Sequence, residues 1–214
     1  MSFDTLAPYY RGMEFVTAGG MLQRCRTSFL AETQNCRRAL LLGEGPGRFL
    51  IELLRSNPRV KVTCVERSPR MIEQAVRQLR RHGLNDARVE FQQCDALSWQ
   101  PPSAEFDLVA THFFLDCFRR DELERLVTSI GQCATPDARW LLTDFRLPPS
   151  GWQRWRARAA LALMYAFFRV VTGLSASRLA PADDLMESAG FRRKQQRVAN
   201  FGLVRAELWT RYNE

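Results

Sequence analysis

Residues 39–50 read Ala-Leu-Leu-Leu-Gly-Glu-Gly-Pro-Gly-Arg-Phe-Leu and are the most informative part of the chain for predicting its fold. Four apolar residues run into the alternating glycines Gly43, Gly45 and Gly47, and a second apolar pattern starts immediately afterwards. This succession predicts a buried strand at 38–42 that turns sharply into a helix at 47–56. Glycines permit positive φ angles and let a ligand touch the backbone, while the free N–H groups at a helix start can bind an anion.

An acidic residue follows at the end of the next predicted strand. Glu66 stands nineteen residues after Gly47 and ends the apolar run at 60–66. An acid at this place can accept hydrogen bonds from both hydroxyls of a ribose. Glu66 could equally be an ordinary acid at the end of a strand, but the glycine loop upstream favours a ligand contact. Together the two features predict a nucleoside-bearing cofactor.

The rest of the chain alternates between strand and helix patterns. The predicted strands lie at 88–93, 106–111 and 138–145, with two more in 191–210 divided near 200–202. The predicted helices lie at 21–32, 69–82, 121–133, 150–173 and 181–190, with Ser68 and Asp121 as N-caps and Pro69 as a first helical residue. Strands that alternate with helices predict a parallel sheet, and two consecutive strands at the end predict an antiparallel hairpin. We expect one α/β domain over residues 1–214.

Composition limits the function classes. Of 214 residues, 46% are hydrophobic and 25% are charged, which is typical of a globular domain. The six cysteines form no Cys-x-x-Cys pair, and no signal peptide is recognisable, so we expect reduced thiols, no metal site and a cytoplasmic location. The net charge is +8, and 29 of the 31 basic residues are arginine. This charge favours nucleic acid, anionic lipid or an acidic substrate as a partner, or it reflects only the codon usage of a GC-rich genome.

Five short patterns occur in an order that resembles the class I S-adenosylmethionine-dependent methyltransferases. They are the loop 43–47, Glu66 with Ser68-Pro69-x-Met71, Asp95-Ala96, Phe106-Asp107-Leu108-Val109 and Glu187-x-x-Gly190-Phe191. The resemblance implies a Rossmann-like fold with a seven-stranded, mostly parallel sheet, an antiparallel C-terminal hairpin and helices on both faces. It also implies S-adenosylmethionine as cofactor, S-adenosylhomocysteine as product and no metal.

A finer resemblance concerns the acceptor. The opening Phe3-Asp4-x-x-Ala7-x-x-Tyr10 and the aromatic helix after residue 150 are similar to ubiquinone/menaquinone methyltransferases, which methylate a lipophilic aromatic ring on carbon. Two departures are Leu41, where many relatives carry an acid, and 111–116, which lacks the Gly-x-Arg-Asn pattern of that subfamily. The resemblance implies a small hydrophobic or aromatic acceptor, an N-terminal helical lid at 1–34 and a substrate-covering helix at 150–175.

Other functions stay open as alternatives. The charge is compatible with an RNA methyltransferase, but no Asn/Asp-Pro-Pro-Tyr/Phe element follows the strand at 106–111, so nucleic acid is not the expected partner. A non-catalytic cofactor-binding subunit is a further alternative. A nicotinamide dehydrogenase is disfavoured by the loop spacing and the terminal hairpin.

The resemblance and the sequence positions together give a predicted site. His112 is the predicted catalytic residue, because the carboxyl ends of strands form the ligand edge of such sheets and a histidine with a pKa near neutral can act as a base. His112 could instead pack without titrating, and Asp116 could orient it or cap the next helix. Glu44 could hold the amino group of the methionine moiety or face solvent. The predicted cofactor-binding residues are Tyr10, Gly43, Glu44, Gly45, Gly47, Glu66, Arg67, Asp95, Ala96 and Thr111.

The stretch 152–173 combines tryptophan, arginine and a long apolar run. The uncharged part is too short to span a bilayer. A basic, tryptophan-bearing start followed by apolar residues is typical of a helix that lies at a membrane surface or binds an oily substrate. It is also compatible with a helix that only closes the site and packs on the core.

Overall fold

A computed structural model describes residues 19–84, 86–172 and 182–212. Tyr10 and the first part of the predicted lid lie outside these residues. The strands are β1 Arg38–Leu42, β2 Lys61–Glu66, β3 Val89–Gln93, β4 Phe106–His112, β5 Ala134–Phe145, β6 Phe191–Ala199 and β7 Val204–Arg211. The α-helices are α1 Gly19–Arg26, α2 Arg48–Ser56, α3 Pro69–Arg81, α4 Arg120–Cys133, α5 Gly151–Thr172 and α6 Asp183–Ser188.

The strands form one seven-stranded sheet in the order β3-β2-β1-β4-β5-β7-β6. The first five strands are parallel, whereas β7 runs antiparallel to both β5 and β6. The strand order reverses between β1 and β4, and ligands bind at such a switch point outside the carboxyl ends of the strands. The predicted parallel sheet with an antiparallel terminal hairpin is confirmed.

Side chains of β1 alternate between the two hydrophobic cores, one on each face of the sheet. Ala39 and Leu41 belong to a cluster that includes the buried residues of α2, while Leu40 and Leu42 belong to a cluster that includes those of α4. Successive side chains of a strand point to opposite faces, so one short apolar strand anchors helices on both sides. This burial fixes β1 in the middle of the sheet and holds the following glycine loop at its carboxyl edge.

The structure corrects the predicted N-terminal helix. The pattern predicted one helix at 21–32, but α1 begins at Gly19 and ends at Arg26, and a separate 3₁₀ turn covers Leu30–Thr33. The hydroxyl of Thr27 donates to the carbonyl of Gln23 at 3.0 Å, and that of Ser28 donates to the carbonyl of Arg24 at 2.9 Å. Serine and threonine hydroxyls thus take up carbonyls at the end of the helix, which the apolar periodicity alone does not reveal.

Two other helix starts test the capping predictions. Ser68 is the N-cap of α3, since its Oγ accepts from the N–H of Met71 at 3.2 Å, and Pro69 is the first helical residue, as predicted. Asp121 is not the N-cap of α4. That helix begins one residue earlier, at Arg120, and the backbone N–H of Arg119 donates to Glu122 at 3.0 Å. Asp121 therefore lies in the first turn, where a negative charge complements the helix dipole.

The remaining bounds differ little from the prediction, except that β5 begins at Ala134 and not at 138. The two final strands are divided at residues 200–203, as predicted. Among the described residues, none of the helices is both long enough and apolar enough to cross a bilayer.

Candidate functional site

The glycine loop joins β1 to α2 in a conformation that requires glycine. Gly43, Gly45 and Gly47 have φ angles of 63°, 64° and 85°. A Cβ at Gly47 would lie 3.1 Å from the Cβ of Ala75, so this glycine lets α3 approach the loop. A Cβ at Gly43 would lie 2.2 Å from Cδ2 of Phe114, so this glycine admits an aromatic ring. The loop therefore packs closely against two neighbouring segments.

Glu44 folds back onto the start of α2. Its carboxylate accepts from the backbone N–H groups of Phe49 at 2.7 Å and Leu50 at 3.0 Å. Desolvation in the site raises the pKa of Glu44 to about 7, although these hydrogen bonds and the charge of Arg26 act in the opposite direction. The free N–H groups that the sequence assigned to an anionic ligand are thus partly occupied by the protein's own acid. At neutral pH this acid is divided between its protonated and charged forms.

Glu66 bridges the glycine loop and the start of α3. One carboxylate oxygen accepts from the N–H of Gly45 at 3.1 Å, and the other accepts from the N–H of Ser68 at 2.9 Å. Both bonds go to backbone groups and hold the carboxylate at the carboxyl end of β2. Glu66 is thereby oriented at the edge where a ribose is expected.

Arg67 and Asp95 form the outer side of the same region. Their side chains are 3.6 Å apart and largely exposed, so the pair contributes little to stability. The other carboxylate oxygen of Asp95 accepts from the N–H of Leu97 at 3.0 Å, which orders the segment after β3.

These segments enclose a cavity of about 330 Å³ at the carboxyl edge of the sheet. This volume is within the range of small-molecule sites. Eight of the predicted site residues line it: Gly43, Glu44, Gly45, Glu66, Arg67, Asp95, Ala96 and His112. Lining residues that the sequence reasoning did not assign to the site include Arg26, Met71, Leu97, Phe113, Phe114, Cys117, Phe118 and Glu122.

Two predicted cofactor residues do not line the cavity. Gly47 is buried against Ala75, and its role is to allow packing of α3. Thr111 is fully buried, and its hydroxyl accepts from the indole N–H of Trp140 at 2.8 Å. Thr111 precedes His112 on β4, so the alternation of the strand sends its side chain to the opposite face of the sheet.

His112 lies in the wall of the cavity as a buried, neutral ring. It is 8% exposed, and it packs edge-on against Phe49 with ring centroids 4.5 Å apart. Within the described residues, neither ring nitrogen has a hydrogen-bond partner. Burial, together with the charge of Arg26, lowers the pKa of His112 to about 3. The expectation of a pKa near neutral is therefore wrong, and at neutral pH the ring can accept or donate a hydrogen bond but binds a proton poorly.

Asp116 neither orients His112 nor caps α4, contrary to both predictions. It lies in the buried 3₁₀ turn Leu115–Cys117, where its carboxyl group is hydrogen-bonded to that of Asp144. Burial raises the pKa of Asp116 to about 6, and burial together with the charge of Asp116 raises the pKa of Asp144 well above its usual value. These raised pKa values favour retention of one proton by the pair near neutral pH. The same burial raises the pKa of the Cys117 thiol, so this lining cysteine is not a thiolate.

The segment after β4 supplies an aromatic wall. Phe113 has a φ angle of 55°, which is rare for a bulky residue and marks backbone strain. Its ring packs against Phe145 at 5.0 Å, while Phe114 packs against Phe118 at 5.0 Å. Strain of this kind is concentrated at ligand sites, and here it directs two consecutive aromatic residues towards the cavity.

Arg26 brings a positive charge into this site from α1. It is 7% exposed, and its guanidinium carbon lies 4.9 Å from the ring centroid of Phe113. Its charge acts on both Glu44 and His112. The sequence carried a signal for Arg26 only in the amphipathic pattern of its helix. That pattern does not reveal which arginine faces inward.

A larger concavity of about 1340 Å³ lies at the opposite edge of the sheet, near the start of β5 and the end of β7. It is a wide groove at the amino ends of the parallel strands, lined by Arg192, Arg193 and Arg211 among others. Ligands of open α/β sheets bind outside the carboxyl ends, so the smaller cavity is the candidate site.

Comparisons with known proteins agree with this geometry. Residues 39–137 match the family model described as a methyltransferase domain. A demethylmenaquinone methyltransferase from Deinococcus radiodurans is 30% identical over 151 residues, which make up 70% of this chain and 61% of that protein. The chain thus spans about three fifths of the length of this relative.

Solved structures establish the fold. The mitomycin 7-O-methyltransferase superposes with a TM-score of 0.72 at 22% identity, covering 99% of this chain and 61% of that one. The 1,6-didemethyltoxoflavin-N1-methyltransferase of Burkholderia thailandensis, bound to its substrate and S-adenosylhomocysteine, superposes with a TM-score of 0.68 at 17% identity, covering 98% and 86%. At these identities the likeness is one of fold. The chain has the class I methyltransferase fold, and the predicted fold class is confirmed.

Proposed function

We propose that this chain, which matches the methyltransferase domain model over residues 39–137, transfers a methyl group from S-adenosylmethionine to a small, hydrophobic or aromatic acceptor. The observation that carries the proposal is one cavity in which the glycine loop, Glu66 and the aromatic wall after β4 meet. The named relatives are described as acting on demethylmenaquinone, mitomycin and a toxoflavin precursor, and all of these names denote small molecules.

The described residues fit this cofactor. Glu66 is held by two backbone N–H groups at the end of β2, where it can accept hydrogen bonds from the ribose hydroxyls. Asp95, Ala96 and Leu97 line the cavity beyond it and would border the adenine. Tyr10, which lies outside the described residues, remains part of the predicted set as a lid contact.

The amino-acid end of the cofactor carries an ammonium and a carboxylate, and the cavity offers a partner for each. We assign the ammonium to Glu44, because a bound cation favours the charged form of an acid that desolvation otherwise neutralises. We assign the carboxylate to Arg26, because its buried guanidinium lines the cavity and can donate charge-assisted hydrogen bonds to a carboxylate.

The protein's contribution to the reaction is positioning. When bound, S-adenosylmethionine supplies an electrophilic methyl group on a sulfonium. Phe113, Phe114 and Phe118 would hold an apolar acceptor against it and exclude water. Holding two reactants in line contributes up to roughly 7–11 kcal/mol through proximity and orientation.

His112 is proposed as a direct ligand contact and not as the proton acceptor. Both ring nitrogens are buried without a hydrogen-bond partner among the described residues, and a ligand that supplies one would relieve this cost. A general base works best with a pKa near the working pH, whereas the pKa of His112 is about 3. We therefore expect the acceptor to react through an atom that ionises by itself or is already strongly nucleophilic.

Two measurements test the proposal. Calorimetry should detect binding of S-adenosylhomocysteine and not of NAD, and methyl transfer should be detectable with some members of a panel of phenols, quinols and thiols. Binding of NAD with no response to S-adenosylhomocysteine would contradict the cofactor assignment. Binding of S-adenosylhomocysteine with no transfer to any acceptor would favour the alternative of a non-catalytic subunit.

A further inference from the structure

A cluster of exposed aromatic and basic side chains lies where the start of α5 meets the turn between β6 and β7. Trp152, Trp155 and Phe201 are 62%, 75% and 59% exposed. Trp152 and Phe201 are in contact, with ring centroids 5.5 Å apart, and the guanidinium groups of Arg156 and Arg158 lie over Phe201 and Trp155 at 5.1 and 5.7 Å. These five residues are called the Trp–Arg patch below.

The turn exposes Phe201 at a conformational cost. Asn200 and Phe201 have φ angles of 51° and 53°. With Gly202 at 89°, three successive residues of this four-residue loop have positive φ angles, which favour glycine and asparagine. At Phe201 such an angle strains a bulky side chain, and yet the ring is not buried. Neither turn formation nor core packing accounts for a phenylalanine at this position.

The charge around the patch has one sign. The segments 145–162 and 197–204, which meet at the patch, contain four arginines and one arginine respectively and no Asp or Glu. The chain as a whole has 23 acidic residues, so the absence of acidic residues makes both segments unusually positive in charge. A partner that complements this surface is anionic and offers an apolar layer to the rings.

We propose that the Trp–Arg patch docks the protein onto the surface of an anionic lipid bilayer. Tryptophan and arginine place apolar rings and stems in the interface while their polar ends stay at the headgroups. Each Lys or Arg near an anionic leaflet contributes attraction. Leu147 and Val198, 38% and 48% exposed, flank the hairpin turn, and such aliphatic groups suit acyl chains better than stacked bases.

The patch lies at the same edge of the sheet as the cavity. Phe145, at the carboxyl end of β5, pairs with Val204 at the start of β7, so the turn before Val204 is at the carboxyl edge. The start of α5 follows the same end of β5. Docking would thus bring the cavity edge near the bilayer, although the docking itself does not depend on methyl transfer.

Sedimentation with lipid vesicles tests the inference. The whole chain should bind vesicles of phosphatidylcholine mixed with phosphatidylglycerol, should bind pure phosphatidylcholine much less, and should be released by salt. The double variant Arg156→Gln/Arg158→Gln should partition about 30-fold more weakly, from the usual attraction per basic residue. Arg77→Gln/Arg80→Gln on α3 carries the same charge change away from the patch and should partition like the unaltered protein.

Phe201→Gly separates docking from folding. It should weaken vesicle binding without lowering the midpoint of thermal unfolding, because glycine suits the turn. Equal binding to both kinds of vesicle, or an equal loss in the α3 control, would overturn the inference. So would binding to an RNA oligonucleotide without binding to vesicles, or a dimer of this chain that Trp155→Ser dissociates.

Discussion

The ring of Phe114 lies directly against Gly43, so that a Cβ on this glycine would stand 2.2 Å from Cδ2 of the ring. The contact links the loop after β1 to the segment after β4. A ligand between these two strands therefore meets a surface whose shape depends on both residues. This relationship gives the most direct test of the loop geometry.

Gly43→Ala should destabilise the protein more than Gly83→Ala. The two glycines have φ angles of 63° and 62°, but a Cβ at Gly83 would meet no atom of the described residues within 4 Å. Gly83→Ala should therefore lower the free energy of unfolding only by the cost of a left-handed backbone, roughly 1–2 kcal/mol. Gly43→Ala should lower it by a further ~1–3 kcal/mol, because the added methyl group overpacks against Phe114. Urea unfolding measures both.

Phe114→Ala completes this comparison. If contact with the Phe114 ring causes the extra loss, Gly43→Ala should cost only the free energy of placing alanine at a positive φ angle when it is made in the Phe114→Ala background. Equal losses for Gly43→Ala in both backgrounds would mean that the ring does not touch the loop.

The sequence predicted the loop and the sheet because both follow from local patterns. A glycine triplet after four apolar residues and an acid at the end of the next strand are visible without tertiary knowledge. The pairing of Asp116 with Asp144 is not visible in this way, because it depends on the register of β4 against β5, in which His112 pairs with Thr143. A shift of β4 relative to β5 by a few residues would separate the two acids.

The environment of His112 also could not be predicted from the sequence. Its position at the end of β4 could be predicted, but its pKa depends on burial against Phe49 and on the charge of Arg26. Phe49 belongs to α2 and Arg26 to α1, and these helices end fifty or more residues before β4 begins. Helix periodicity predicts that such helices pack on the sheet, but it does not predict which side chains reach the edge.

Cofactor binding should depend on pH through Glu44. Its pKa is about 7 in the free site, and a bound cation should lower it. Affinity for S-adenosylhomocysteine, which keeps the ammonium, should therefore fall as the pH drops below about 7, and binding near this pH should release a proton. Calorimetry in buffers of different ionisation enthalpy measures the proton. Glu44→Gln, which keeps an acceptor for the N–H groups of α2, should remove both effects.

Glu66→Ala should weaken S-adenosylhomocysteine binding by about 1.5–3 kcal/mol, the usual contribution of hydrogen bonds to a charged group. The carboxylate also accepts from Gly45 and Ser68, so the variant needs a check of folding by circular dichroism. Glu73→Ala, on the exposed side of α3, is the matched control and should bind normally. An unchanged dissociation constant in a folded Glu66→Ala variant would remove Glu66 from the site.

His112→Asn tests the neutral histidine. In the wild type the folded pKa is about 3 and the usual value is 6.5, so unfolding takes up a proton between these limits. The His112 contribution to stability is therefore complete above about pH 6.5 and falls towards pH 3, by about 2 kcal/mol at pH 5. The free energy of unfolding of the variant, measured with urea at about pH 6.5 and about pH 5, should lack this loss.

The same variant tests the catalytic role. If His112 only contacts the ligand, methyl transfer by both proteins should follow the ionisation of the acceptor, and the variant should lose ligand affinity. A rate that falls with a histidine-like pKa in the wild type alone, with a loss of about 10²–10⁴-fold in the variant, would restore the general-base interpretation.

Asp144→Asn should change the pH dependence of stability in the opposite sense to His112→Asn. The folded pKa values of Asp144 and Asp116 are raised above their usual 3.8, so both acids contribute most below about pH 4 and lose that contribution as the pH rises. The asparagine amide can donate to Asp116 permanently, which removes the need for a shared proton. Between about pH 4 and 7 the wild type should therefore lose more free energy of unfolding than Asp144→Asn, as measured by urea titration. Parallel curves would mean that the two carboxyl groups do not share a proton.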